Sequence, residues 1–177
     1  MLLADHMIKT MFLQQQMRCY DEDGYETMPA HIGPNSVDVR LGRRFVKLVG
    51  TRRIDTGYDD LVQEWLTGEI VLPSGGFVLG CAAERFACPD TIVQSIEGRS
   101  TMARLGLFVH ACAGFGDAGF EGHFTLELLN VSGYDLTLVP GTRVAQVAFT
   151  QLSSCPDNVY SSVYKRQGPY PVPPREH

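Results

Sequence analysis

The amino-acid sequence predicts an all-β fold, an antiparallel sandwich or barrel with short peripheral helices. Three observations carry this. Strand-like segments recur between Gly and Pro, at 36–42, 77–86, 91–98, 107–114, 123–130, 135–141 and 143–149, which is the spacing of paired short strands rather than of βα units. Only two stretches have helical periodicity. The chain has 177 residues, 44% hydrophobic and 20% charged, enough for one real core and ordinary for a globular domain.

From the N-terminus, residues 5–16 place Met7/Met11 and Ile8/Phe12 at i,i+4 after Asp5 as a cap, which predicts a short amphipathic helix. "SVDVRLG" is the first strand. Arg40, Arg43, Arg44, Lys47, Arg52 and Arg53 then form a basic run broken by no acid, read as a solvated sheet edge on which charge prevents stray pairing. "DDLVQEWL", 59–66, predicts a second helix with Leu61, Val62, Trp65 and Leu66 on one face and Gly68 as its stop. The strands "FVLGCAAERF" and "TIVQSIEG" follow. "STMAR" forms about one helical turn with Ser100 as N-cap and Gly106 at its end. "LFVHACAG" is a strand in which His110 reads as a hydrogen-bonded core histidine. "HFTLELLN", "DLTLVPG" and "RVAQVAF" complete the sheet. From about residue 153 the chain turns polar and Pro-rich. This divides it into a domain at 1–152 and an arm at 153–177 that orders on a ligand or a neighbouring subunit.

Several function classes are disfavoured. The net charge is -5, and a nucleic-acid surface calls for a basic balance. The apolar runs are too short to span a bilayer. The N-terminal "MLLADHMIKTMFLQQQ" is interrupted by Asp5, His6 and Lys9, unlike a secretory leader. The 5 cysteines are odd in number and contain no C-x-x-C pair, which points to reduced thiols in a cytoplasmic protein.

Two features hold chemistry. In the first, Arg99, Ser100 and Arg104 cluster at the short turn. Ser100 and Arg104 share a side at i,i+4, and free amides at the start of the turn point the same way. Two guanidiniums, a hydroxyl and those amides can cradle a phosphate; a capped surface turn with solvated arginines has the same sequence. The second is Glu127. Phe124, Leu126 and Leu128 alternate onto one face of its strand, and His123, Thr125, Glu127 and Leu129 take the other. An open face makes Glu127 an ordinary strand residue. A covered one makes it a desolvated carboxylate suited to proton transfer. Asp117, in "AGFGDAGFEG", stands either beside a ligand or in a plain turn.

Three segments, in order, resemble the dCTP deaminase branch of the dUTPase-like superfamily. "EGRSTMARLGLFVH" resembles its G-R-S-S-L-[AG]-R-L-G-L signature. "AGFGDAGFEGHFTLELLN" is similar to its A-G-[FW]-I-D-x-G-F-x-G-x-[IV]-T-L-E segment, and "PGTRVAQVAF" to its P-G-x-x-[IV]-[AG]-Q segment. The resemblance implies a distorted β-barrel or jelly roll, assembled as a homotrimer with active sites between subunits. It implies that Glu127 is general base and then acid, with Ser100 and the Ala113 carbonyl helping to hold the water. It places Arg104 at the reacting end, Arg99 and Ser100 on the phosphates, and Thr101, Asp117, Phe120, Gln146, Tyr164 and Gln167 among the substrate contacts. Mg2+ enters with the triphosphate and no residue is a metal ligand. No histidine here is followed two residues later by Glu, so the H-x-E signature of zinc nucleobase deaminases is missing.

The chain departs from the family at Cys112, where Thr is usual, at Gly116 for Ile, and in the arm, where Val163 stands for Lys. The implied reaction is deamination of dCTP to dUTP and ammonia. Two-step members resemble Ala-Gly-Phe or Ala-Gly-Trp from the water-holding Ala onward, and Ala113, Gly114 and Phe115 match that. Gly114 is read as leaving space beside the triphosphate, and Asp117 as orienting a second water that releases dUMP and pyrophosphate. The alternatives are a deaminase that stops at dUTP, a dUTP diphosphatase only, and a non-catalytic binding protein of the same fold.

Overall fold

The computed structural model describes residues 1–50 and 62–175. Helix α1 (Asp5–Leu13) leads into β1 (Arg18–Tyr20), β2 (Glu26–Thr27), β3 (Val37–Val49), β4 (Val62–Thr67), β5 (Ile70–Leu72), β6 (Phe77–Ala87) and β7 (Ile92–Gly98). Helix α2 (Ser100–Arg104) precedes β8 (Leu107–Phe108), β9 (Phe115–Gly116), β10 (Gly122–Asn130), β11 (Leu136–Leu138) and β12 (Arg143–Gln151). The main sheet runs β2-β1-β6-β3-β12-β7-β9, with β10 against β6 and β8, and β4 against β3; β5 and β11 pair separately. All of these pairings are antiparallel. No helix among the described residues is long and apolar enough to cross a membrane.

Alternation builds the core. Phe124, Leu126 and Leu128 of β10 are buried, as are Val147 and Phe149 of β12 and Val37, Val39 and Leu41 of β3. Phe86 and Phe149 stack edge-on at 5.4 Å, and Phe12 joins them at 6.2 and 6.4 Å. This aromatic cluster pins α1 to the sheet, since Ile8 and Phe12 are the residues that α1 buries. The cap of α1 is Ala4, not Asp5; Asp5 sits in the first turn and pairs with Lys9 at 2.9 Å.

Three further expectations are corrected. Val62–Thr67 is a strand, not part of a helix; residues 59–61 lie outside the described residues. Its backbone finds partners in β3, from Arg44↔Thr67 to Val49↔Val62, and Val and Trp suit a pleated surface. Val62, Trp65 and Leu66 stay exposed, so no core existed for a helix face to bury. The basic run is not a sheet edge. β3 lies between β6 and β12 and also carries β4. Arg40 pairs with the buried Glu84 at 2.5 Å, Arg43 with Asp23 at 2.7 Å, and Arg44 lies under the C-terminal arm. Arg52 and Arg53 lie outside the described residues. In 107–114, only Leu107–Phe108 and no later residue forms a strand, because the amides beyond it bond elsewhere, as the site shows.

Among the described residues, the arm makes hydrogen bonds to its own chain. The Arg166 N–H donates to the Glu121 carbonyl at 2.6 Å, the His123 N–H to the Gln167 carbonyl at 3.1 Å, and the Tyr160 N–H to the Ala118 carbonyl at 2.9 Å. These are bonds to β10 and the turn before it, which had unpaired groups to offer.

Candidate active site

A cavity of about 320 Å³ opens between β10, the 113–120 segment and the arm. Glu127, Asp117, Ala113, Phe120, Tyr164 and Gln167 line it together, as do Leu79, Phe115, Phe124, Thr125, Tyr160, Val172 and Pro174. Six residues singled out from the sequence therefore meet in one place. Thr125 and Tyr160 were missed as site residues. Thr125 was signalled by its place two residues before Glu127 on the same face; Tyr160 had no sequence signal.

Glu127 is half-buried on β10. Its Oε2 accepts the N–H of Ala111 at 2.8 Å and that of Cys112 at 3.2 Å. These are the amides that leave the ladder after β8. A strand that might have continued spends its donors on one carboxylate oxygen and fixes the side chain's direction. Oε1 has no hydrogen bond among the described residues and is free for a ligand or water. Thr125 donates to Gln167 Oε1 at 3.3 Å and accepts the Val172 N–H at 3.0 Å, tying the arm to the strand of Glu127. Phe120 is packed on Phe124 at 5.0 Å and Tyr160 at 6.0 Å, and its carbonyl accepts from the buried Gln94 at 3.0 Å. Asp117 is exposed at the mouth, and its carbonyl closes the turn to Phe120 at 2.8 Å.

The lining has two carboxylates, Glu127 and Asp117, and no Lys or Arg. The basic cluster lies elsewhere on the same chain. Ser100 is the first residue of α2; the N-cap is Arg99, and no side chain caps the helix. Ser100, Thr101 and Arg104 are exposed. Arg99 is turned onto the sheet, with Nε 3.5 Å from Asp38 and Nη1 donating to the Arg143 carbonyl at 3.1 Å. Asp38 is buried and also pairs with Arg143 at 3.0 Å, so its charge draws both arginines in. Gln146 sits in β12 opposite Asp38 and Glu97, beside Ser36 at 3.3 Å. None of Arg99, Ser100, Thr101, Arg104 and Gln146 lines the cavity.

Two readings change with the structure. His110 is not a hydrogen-bonded core histidine: Nδ1 is buried with no hydrogen-bond partner among the described residues, and Nε2 lies 3.5 Å from Glu97 Oε2. Gly114 does not leave space. A Cβ there would lie 2.6 Å from the Ile96 carbonyl oxygen and 3.1 Å from the His110 ring, so this glycine permits a close approach to β7, where its carbonyl accepts the Ile96 N–H at 2.7 Å. Deeper in β10, His123 places Nδ1 3.0 Å from the Ala82 carbonyl, and burial pulls its pKa down to about 4. Burial pushes the Cys19 and Cys81 thiols up to about 12. All 5 cysteines are free. Among the described residues, no group of three or more His, Cys, Asp or Glu side chains is placed to hold a metal ion.

Residues 2–152 match a family model described as dCTP deaminase-like. A Halobacterium salinarum protein named "dCTP deaminase, dUMP-forming" is 41% identical over 144 residues, covering 76% of this chain and 74% of its own length. A Mycolicibacterium smegmatis protein of the same name is 39% identical over 188 residues, covering 100% of this chain and 97% of that protein. Among solved structures, the 2'-deoxycytidine 5'-triphosphate deaminase from Agrobacterium tumefaciens superposes with a TM-score of 0.62 at 24% identity, covering 83% of this chain. This chain spans only 46% of that one, and the likeness speaks for the fold.

Proposed function

Because the chain belongs to the dCTP deaminase-like family, we propose that it hydrolyses dCTP to dUTP and ammonia and then dUTP to dUMP and pyrophosphate. The observation that supports this best is Glu127, a carboxylate held by two amides at the wall of a largely apolar cavity sized for a pyrimidine. Its free oxygen takes a proton from water as the water adds to C4 of cytosine. The same group delivers that proton to N3, takes the second proton from the hydroxyl added at C4 and passes it to the departing amine, so that the C4 carbonyl forms as ammonia leaves. Phe120 and Tyr160 offer faces for the base, and Gln167 and Thr125 offer polar groups at its edge.

A cavity with two carboxylates and no cation cannot by itself hold a triphosphate. The missing charge is what α2 presents on its exposed side. The reading therefore includes a homotrimer in which Ser100, Thr101 and Arg104 of one subunit complete the cavity of the next. Arg99 and Gln146 brace that surface from behind. Exposed Leu105, Phe108, Val131 and Tyr134 around α2 and β8 give it an apolar face to bury. Within one cavity, Ser100 and the Ala113 carbonyl orient the first water. Asp117, uncommitted to any ion pair among the described residues, orients the second for attack at the α-phosphorus, with pyrophosphate as leaving group. Mg2+ would enter with the substrate, bound through the phosphate oxygens of the triphosphate and not by a protein ligand. It would neutralise phosphate charge. Residues 153–177 act as the arm that closes over the base, and the substrate pool is cytoplasmic.

The test is a time course with dCTP, dUTP and CTP, resolving ammonia, pyrophosphate and nucleotides. Ammonia, dUMP and pyrophosphate from dCTP are expected. Accumulating dUTP without pyrophosphate would leave a one-step deaminase, turnover of dUTP alone a diphosphatase, and no turnover a binding protein. Glu127→Gln should lower ammonia release by about 10²–10⁴-fold while nucleotide still binds.

A further inference from the structure

The arm is fastened at a point that the chemistry above does not use. Between Gln167 and Val172, which both line the Glu127 cavity, the arm passes Pro169 and Tyr170. The Pro169 carbonyl accepts from Arg44 Nη1 at 3.2 Å and from the Cys81 thiol at 3.3 Å. The Arg44 guanidinium carbon lies 3.9 Å from the Tyr170 ring centroid, close contact for a cation over an aromatic face. Trp65 of β4 meets the same ring edge-on, at 6.5 Å and 78°. Arg44 and Trp65 belong to adjacent strands, two residues out of register, since Arg44 pairs with Thr67 and Val46 with Trp65. The β3–β4 pair thus presents a ready-made slot, and Tyr170 fills it.

We propose that Arg44 and Trp65 form a clasp that holds Tyr170, and with it the arm, against the Glu127 cavity. They are positioning residues, acting through the arm on Gln167 and Tyr164. This rests on the reading of the cavity as the deamination site, but the clasp has a readout of its own. The chain has 1 tryptophan, and it is the one in the slot. Fixing Tyr170 lowers the ordering cost of holding the arm over a substrate, so the clasp acts mainly on KM. It also explains the strand at 62–67: an exposed strand with outward Trp65 has a function as a seat for the arm.

The experiment uses the full chain in Arg44→Ala, Tyr170→Ala and Tyr170→Phe forms. Losing one exposed cation–ring or ring–ring contact shifts a two-state closure by about 5-fold or more. In the two alanine variants Trp65 emission should become more quenchable by acrylamide. Trypsin should cut after Lys165 and Arg166 at least about 5-fold faster, and KM for dCTP should rise with kcat changed less. Tyr170→Phe keeps the ring and should match wild type in all three. Unchanged quenching and cleavage in both alanine variants would overturn the clasp, whatever the substrate proves to be. Faster cleavage with unchanged KM would overturn the positioning role while leaving the deaminase assignment standing.

Discussion

His123 offers the sharpest physical test of how β10 is built. The residue is 2% exposed, and Nδ1 donates to the Ala82 carbonyl at 3.0 Å. Burial pulls its pKa from 6.5 to about 4, against the opposing effect of that hydrogen bond. Between those values the unfolded chain binds a proton that the folded chain refuses. Stability therefore falls on acidification: the contribution is intact above 6.5 and is progressively lost as pH falls toward 4. The gap of 6.5 − 4 = 2.5, at about 1.4 kcal/mol for each, is worth about 3 kcal/mol. The perturbation is His123→Asn, which keeps an N–H for Ala82 and cannot titrate. Urea unfolding of both proteins at fixed concentration, from about pH 7 down to about pH 4, gives the difference in stability at each pH, and carboxylates common to both cancel. Wild type should lose about 3 kcal/mol more than the variant over that range. A difference that does not change with pH would refute the burial argument and mean that His123 is hydrated in solution.

Other outcomes follow from the same geometry. Phe149→Ala removes the ring that packs edge-on against Phe12 and Phe86 and should cost about 3–5 kcal/mol by chemical denaturation. Arg40→Ala strands the buried Glu84 charge and should cost about 3–5 kcal/mol, whereas Glu84→Gln leaves a half-exposed Arg40 that water can serve and should cost about 1–3 kcal/mol; equal losses would contradict the asymmetry. Glu127→Gln and Arg104→Ala should each be inactive alone, yet mixed subunits should recover about a quarter of wild-type turnover if each site draws one residue from each of two chains. No recovery after subunit exchange would place both residues in a single chain's site. Iodoacetamide should label Cys112 and Cys155 and spare Cys19 and Cys81, whose buried thiols sit at about 12; mass mapping of the peptides decides it.

The sequence by itself determined the fold class and the face that Glu127 occupies. Strand alternation is a local property with a period of two, and Phe124, Leu126 and Leu128 had to share one side whatever packed on it. The one-turn helix at Ser100–Arg104 was equally legible, since its residues and the Gly106 stop are contiguous. The segment at 62–66 was not. Its apolar spacing satisfies a helix and a strand alike, and only the partner strand β3, which is distant in sequence, decided between them. The basic run is the same case: nothing near Arg40 reveals Glu84, which stands 44 residues away. What tertiary structure alone decided is where each group ends up. It brought the amides of Ala111 and Cys112 to Glu127, folded the arm onto Thr125, and turned Arg99 toward Asp38 and away from the cavity. Such contacts depend on which long-range pairings close and which buried charges must be matched, and neither is written in any short window of residues.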